Sequence, residues 1–285
     1  MNKFFIIANE HKDEKLKVTR LIQNYIISRG GFCDYFVSSK SSWNEDGDRR
    51  MPESIPKDTE CILVLGGDGT LVRAGRDLAA LKIPMIGINL GTLGYLCELE
   101  TGNIFKAIDR MFADEYDIED RMLLEGCEIH LDEFGAATCA LNDIVIHRTG
   151  LSQLVSLEVS VNGEYLATYG ADGIIIATPT GSTGYNMSAG GPIVDPKAHM
   201  ILITPINSHD ISAKSIVVGA DAVITIEMMA RRTEHDETAD VSFDGDRIIH
   251  MKVGDKILIQ KASTDTKILK LNRVSFLQNL RRKMS

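Results

Sequence analysis

The 285 residues include 44% hydrophobic and 25% charged side chains, ordinary globular proportions that exclude wholesale disorder. The length exceeds the roughly 250 residues that one hydrophobic core usually serves, so two domains are expected. With 31 basic against 40 acidic side chains the net charge is −9, which argues against a nucleic-acid partner and leaves phosphate binding to local sites made of backbone N–H groups, helix ends or metal.

In chain order, residues 3–8 form a short apolar strand. That run is shorter than the ~7–15 residues of a secretory signal, and no later run reaches the ~18 of a membrane span, so a cytoplasmic protein without a membrane partner is expected. Val18, Leu21, Ile22, Tyr25 and Ile26 make a helical stripe over residues 14–29, stopped by Gly30-Gly31. Residues 32–37 read as a second strand and 38–51 as a mobile loop. Residues 61–65 are a buried strand running into Gly66-Gly67-Asp68-Gly69-Thr70, and 71–81 are a helix. A strand at 85–88 and a helix marked by Ile104, Ile108, Met111 and Phe112 follow. Alternating strands and helices with continuously apolar strands predict an α/β domain with a parallel sheet, residues 1–120.

Beyond residue 120 the period becomes two. Val155, Leu157, Val159 and Val161 alternate with polar residues up to Asn162-Gly163, a hairpin signal. Short strands at 223–228, 241–243, 257–259 and 268–271 complete an antiparallel β domain, a sandwich or layered sheet, over 121–271. Residues 272–285 form a tail that could return to the first domain, and Arg281, Arg282 and Lys283 within it read as a solvated basic cluster. Cys33, Cys61, Cys97, Cys127 and Cys139 lack any CxxC spacing and read as reduced, mostly buried thiols. The seven histidines show no zinc-site spacing.

Four segments carry chemistry. In residues 65–70 three glycines bare the backbone at a strand's carboxyl end, where α/β sheets bind ligands, and leave Asp68 as the one carboxylate. The spacing fits neither standard nucleotide fingerprint, and a tight turn with Asp68 or Thr70 capping the helix is the competing explanation. Residues 87–95 form a second glycine-punctuated strand end. Asn142-Asp143 interrupts an apolar stretch, marking either a turn or hydrogen-bonding groups offered to a ligand. Residues 170–192 deliver, after a buried strand, a long loop of glycines, hydroxyls and Tyr185 suited to a ribose-rich, flat-ringed ligand.

Together these segments resemble the NAD kinase family, the first motif being shared with diacylglycerol, sphingosine and 6-phosphofructokinases. The resemblance implies a phosphofructokinase- or diacylglycerol-kinase-like α/β domain, a β-sandwich domain, and NAD in a cleft between them. It also implies ATP or another polyphosphate donor, with a divalent cation, Mg²⁺. Asp68 then matches the general base acting on the adenosine 2′-hydroxyl, and Gly69 and Arg73 line the same loop. Asn142 matches the adenine contact, Asp143 a ribose contact, and Asp172 a carboxylate near the nicotinamide. Thr183, Gly184, Tyr185, Asn186, Met187 and Ser188 match the loop enclosing the dinucleotide, with Asn207 a further contact. A homodimer or homotetramer is expected. Gly170 stands where many relatives carry Arg, Gly184 where Ala is common, and Lys214-Ser215 replace a frequent Arg-Pro. The competing classes are a lipid or sugar kinase with the same glycine loop and a non-catalytic NAD(P)-binding module.

Overall fold

A computed structural model describes residues 1–38, 55–91, 94–130, 133–150, 154–210, 212–231, 237–271 and 275–284. Most of the loop expected at 38–51, and Thr92 and Leu93 of the second glycine segment, lie outside the described residues. The chain runs β1 Lys3–Asn9, α1 Lys17–Ser28, β2 Phe32–Ser38, β3 Cys61–Gly66, α2 Asp68–Asp77, β4 Met85–Asn89, β5 Leu99–Glu100 and α3 Ile104–Phe112. It continues through β6 Asp117–His130, β7 Glu133–Phe134, β8 Thr138–Ala140, β9 Asp143–Arg148, β10 Val155–Val161, β11 Glu164–Ala171 and β12 Gly173–Ala177. After α4 Tyr185–Ser188 come β13 Met200–Ile206, β14 Ile216–Gly219, β15 Ile224–Met229, β16 Thr238–Phe243, β17 Arg247–Lys252, β18 Lys256–Lys270 and α5 Phe276–Met284. Two compact units result: Met1–Asp120 with Thr266–Ser285, and Arg121–Asp265.

The first unit is a parallel sheet in the order β2–β1–β3–β4. β1, β3 and β4 are apolar along almost their whole length because helices cover both faces. Ile22 and Ile26 of α1 with Ile104, Ile108 and Met111 of α3 pack on one face, and Leu71, Ala74 and Leu78 on the other. α1 gives way to Gly30, whose φ of +81° only glycine adopts freely. α2 starts three residues before the expected 71, because extended Gly67 is its cap and Asp68 to Thr70 make its first turn. It ends at Asp77, and the remainder of the expected helix is a 3-10 turn, Ala79–Leu81.

Residues 266–271, assigned from sequence to the β domain, group instead with the first unit. The Thr266 hydroxyl donates to Gly75 O at 2.6 Å, Ile268 pairs in parallel with Met85, and Leu269 and Leu271 enter the core beside Ile6 and Ile86. The basic tail is helical rather than simply solvated: the Lys283 ammonium lies 5.5 Å from the Tyr95 ring centroid, a cation–π contact.

The second unit is a sandwich of antiparallel strands. One sheet runs β11–β10–β15–β18 with β6 beside β18, and the other β14–β13–β12–β9–β16–β17. Alternate residues, among them Leu157, Ile174, Ile203, Ile226 and Phe243, meet in the core between them. Asn162 and Gly163 take φ of 52° and 81°, the left-handed pair that a two-residue hairpin turn needs. The strands expected at 257–259 and 268–271 are parts of the single β18, whose polar middle hides its continuity in the sequence.

Leu269 is fully buried among first-unit side chains. Leu269→Ala is expected to cost about 2–5 kcal/mol in urea unfolding of the first unit.

Candidate active site

At the carboxyl end of β3 the three glycines of the first motif do different work. A Cβ on Gly66 would overlap Thr70, and one on Gly67 would come within 2.5 Å of the Lys12 ammonium; a Cβ on Gly69 would meet nothing. Gly69 is therefore the glycine whose bareness the fold itself does not require, and it is exposed at the first turn of α2. Neither Asp68 nor Thr70 caps the helix. The Thr70 oxygen instead accepts from Asn9 Nδ2 at 3.2 Å.

The Asp68 carboxylate turns to the loop after β4. Oδ2 accepts from Tyr95 N at 2.5 Å and Leu96 N at 3.1 Å, and Oδ1 from Cys97 N at 3.0 Å. Gly94 permits this approach, since a Cβ there would overlap the carboxylate. A carboxylate has about four lone-pair positions, so three donors fix its orientation and leave one position for a hydroxyl proton. The Cys97 thiol is held protonated by burial and by the nearby Asp68 charge. Arg73 lies in α2, half-buried. A cavity of about 460 Å³ beside the 94–97 loop is lined by Glu98, Lys106, Arg110, Lys270 and Lys283 among others; of the segments singled out from sequence only Gly94 and Tyr95 reach it.

In the second unit a carboxylate again organises a loop. Asp244, at a left-handed turn, accepts from Leu141 N, Asn142 N and Asp143 N at 2.9, 2.7 and 3.2 Å. Antiparallel pairing of β9 with β12 sets Ala177 opposite Asp143, so Thr178 adjoins Asn142. Thr178 N donates to Asn142 O at 2.8 Å and the Thr178 hydroxyl to Leu141 O at 2.6 Å. Around this corner Asn142 Oδ1 and Thr180 Oγ1 are buried without a protein hydrogen-bond partner, an arrangement that costs free energy unless water or a ligand supplies one. Gly184 sits close by, its added Cβ falling 3.8 Å from Asp143 Oδ2 and 3.9 Å from Asn142 Nδ2.

The loop from 178 to 194 folds over the outer face of β12, Ala189 and Val194 covering Ile175 and Leu202. Asn186 is its internal tie: fully buried, it donates to Ser182 O and Pro192 O at 3.2 and 3.0 Å and accepts from the Thr204 hydroxyl at 2.7 Å. Its side-chain hydrogen bonds are thus made within the fold. Tyr185 and Ser188 are exposed, and Thr183 and Met187 half-buried.

Asp172 and Asn207 are joined, Asn207 Nδ2 donating to Asp172 Oδ2 at 2.9 Å, with Arg148 Nε on Oδ1 at 2.6 Å. These bonds, Asn207's first, hold the Asp172 carboxyl below the usual range. The pair lies at the opposite end of β12 from Asn142 and Thr178, six residues and about 20 Å of strand away. The expected dinucleotide contacts therefore fall into two clusters within this unit. Thr180 lies within the 170–192 segment without being singled out there, and sequence reasoning missed Arg148 and Asp244; the Asp244-Gly245 pair is a turn signal, but nothing local tells what its carboxylate holds.

The family models agree with this architecture. The ATP-NAD kinase N-terminal domain matches residues 4–116 and the ATP-NAD kinase C-terminal domain residues 141–271. The chain belongs to the NAD kinase family. An NAD kinase of Agathobacter rectalis is 52% identical over all of this chain and 99% of its own length, and one of Lachnospira eligens 39% identical over the whole of both. Among solved structures, yeast NADH kinase complexed with NADH aligns with a TM-score of 0.83 at 23% identity, covering 99% of this chain and 87% of that one. An Archaeoglobus fulgidus NAD kinase in complex with ATP aligns at 0.74 and 22%, covering 98% of each.

Asp143 is buried, and desolvation first, then the Asp244 charge, push its carboxyl up to about 7. An unfolded aspartate ionises near 3.9. Between these values the folded chain holds the extra proton, so stability falls as pH rises from about 4 to about 7 and is level above. Asp143→Asn is expected to match the wild-type Tm near pH 4 and exceed it near pH 8, read by scanning calorimetry.

Proposed function

We propose that this chain transfers the terminal phosphoryl group of ATP, or of another polyphosphate donor, to the 2′-hydroxyl of the adenosine ribose of NAD, forming NADP. The observation that carries the reading is Asp68: a carboxylate fixed by three backbone N–H groups in a glycine loop, in a chain of the NAD kinase family. Asp68 accepts the hydroxyl proton as the ribose oxygen bonds to phosphorus and the bond to the leaving diphosphate breaks. Such transfers consist mostly of positioning and charge neutralisation, with little covalent chemistry for the protein. The exposed Gly69 backbone at the start of α2 offers the phosphates an approach no side chain blocks.

Adenine is assigned to Asn142 and Thr180. An Asn amide can accept from the exocyclic N6 and donate to N7, and the unpartnered Oδ1 suits the first of these bonds. Asp143 is proposed beside the ribose, Tyr185 as a packing surface, and Asp172 with Asn207 as a separate polar contact.

A divalent cation, Mg²⁺ by preference, is assigned to the donor rather than to a protein cage. Among the described residues no group of three His, Cys, Asp or Glu side chains could hold a metal ion. Mg²⁺ commonly keeps several waters and binds through substrate phosphates, which the donor would supply. When bound it would offset phosphate charge. Five free thiols support a reducing, cytoplasmic setting. A homodimer or homotetramer is proposed on the family resemblance.

The test is incubation with Mg·ATP and NAD and detection of NADP. Asp68→Asn should fold and bind NAD yet lose about 10²–10⁴ in rate. Gly94→Ala, which displaces the same carboxylate, should lose activity with little change in NAD affinity. NAD whose adenosine ribose lacks the 2′-hydroxyl should bind without being phosphorylated. Comparable rates on diacylglycerol, sphingosine or fructose 6-phosphate would overturn the reading.

A further inference from the structure

The first glycine loop contains no lysine or arginine, so a side-chain cation to assist the donor's metal must come from elsewhere in the chain. The structure assigns it: we propose that Lys12, from the turn after β1, binds the polyphosphate of the donor and offsets its charge during transfer. The inference rests on the phosphotransferase reading above and adds a residue to it.

Three loops at the carboxyl ends of β1, β3 and β4 bring the Lys12 ammonium into place. It lies 2.5 Å from where a Cβ of Gly67 would stand and 3.8 Å from that of Gly91, so a side chain at Gly67 would displace it. The turn that carries it is tethered. Lys12 N and Asp13 N both donate to Asn9 O at 2.9 Å, His11 N to Asn9 Oδ1 at 3.1 Å, and Asn9 Nδ2 bonds Thr70 of the glycine loop. Asn9 thus registers the lysine turn against the loop it serves.

The neighbouring polar groups are committed elsewhere. Asp13, buried next to Lys12 in sequence, accepts from Val18 N, Thr19 N and the Thr19 hydroxyl at 2.9, 2.8 and 2.6 Å. Asn89 Oδ1 accepts from Gly91 N at 3.1 Å, and its Nδ2 donates to Gly91 O at 2.8 Å. Asp68 is held by the 95–97 backbone. Among the described residues no carboxylate pairs with Lys12. An exposed ammonium with no carboxylate partner among the described residues, suspended over bare backbone where parallel sheets bind ligands, has the geometry of a phosphate anchor. Lysine serves phosphates as a compact point charge.

Lys12→Gln and Lys12→Arg, in the full-length chain, test the assignment. Calorimetric titration with inorganic tripolyphosphate, without NAD, should show binding to wild type that weakens with salt, a loss of tenfold or more in Lys12→Gln, and retention in Lys12→Arg. The kcat/KM for ATP should fall about 10²-fold or more in Lys12→Gln, with the KM for NAD little changed and Lys12→Arg largely active. Unchanged thermal unfolding shows that the exposed substitution leaves the fold intact. Wild-type tripolyphosphate affinity and wild-type kcat/KM for ATP in Lys12→Gln would overturn the assignment while leaving the NAD kinase reading in place. Absence of tripolyphosphate binding to wild type would overturn it as well. A wild-type chain that made no NADP, yet lost tripolyphosphate affinity on Lys12→Gln, would uphold Lys12 and overturn the activity.

Discussion

Backbone N–H groups crowded at a strand end must find acceptors, and in both units one aspartate takes three of them. Asp68 gathers Tyr95, Leu96 and Cys97; Asp244 gathers Leu141, Asn142 and Asp143. Left unpaired away from water an N–H costs about 1–3 kcal/mol, so the two carboxylates help to hold these partly buried loops in their present form. The candidate chemistry depends on that constraint. Asp68 acquires a fixed orientation from the loop it organises, and Asn142 is placed by an aspartate about a hundred positions away in sequence.

Burial sets the second unit's character. Asp143 sits where a carboxylate is reluctant to ionise, a few ångströms from another carboxylate that has three N–H partners. Desolvation first, and then the neighbouring Asp244 charge, disfavour the ionised form of Asp143. Asp172 shows the opposite extreme, with Asn207 and Arg148 holding its charge.

What was legible in the sequence followed from local pattern. Ile22 and Ile26 of α1, the apolar run of β3 and the Asn162-Gly163 turn announce themselves because their neighbours in sequence are their partners in structure. The candidate site was legible as segments but not as geometry. Spacing alone does not tell that Asn186 faces inward, since one of its three partners, Thr204, lies eighteen residues on. Nor does spacing reveal that Asp172 stands at the other end of β12 from Asn142. Lys12 belongs to an unremarkable polar turn until β1, β3 and β4 are set side by side. β18 was read as separate strands because polar residues around Thr264 interrupt the alternation that pairing with β15 and with Met85 makes continuous.

The first unit is discontinuous: its sheet takes Ile268, and its core Leu269 and Leu271, from near the far end of the chain. On a ribosome elongating at roughly 5–20 residues per second, Arg121–Asp265 must be made in between, an interval of about seven to thirty seconds. Through that time the Met85 end of β4 keeps an open edge and the hydrophobic core lacks two leucines. The order of birth and the order of completion are thus reversed: the unit whose synthesis begins first is the last that can close. A nascent chain stalled before Thr266 would present an unfinished parallel sheet to the cell's chaperones, while its β sandwich could already be whole.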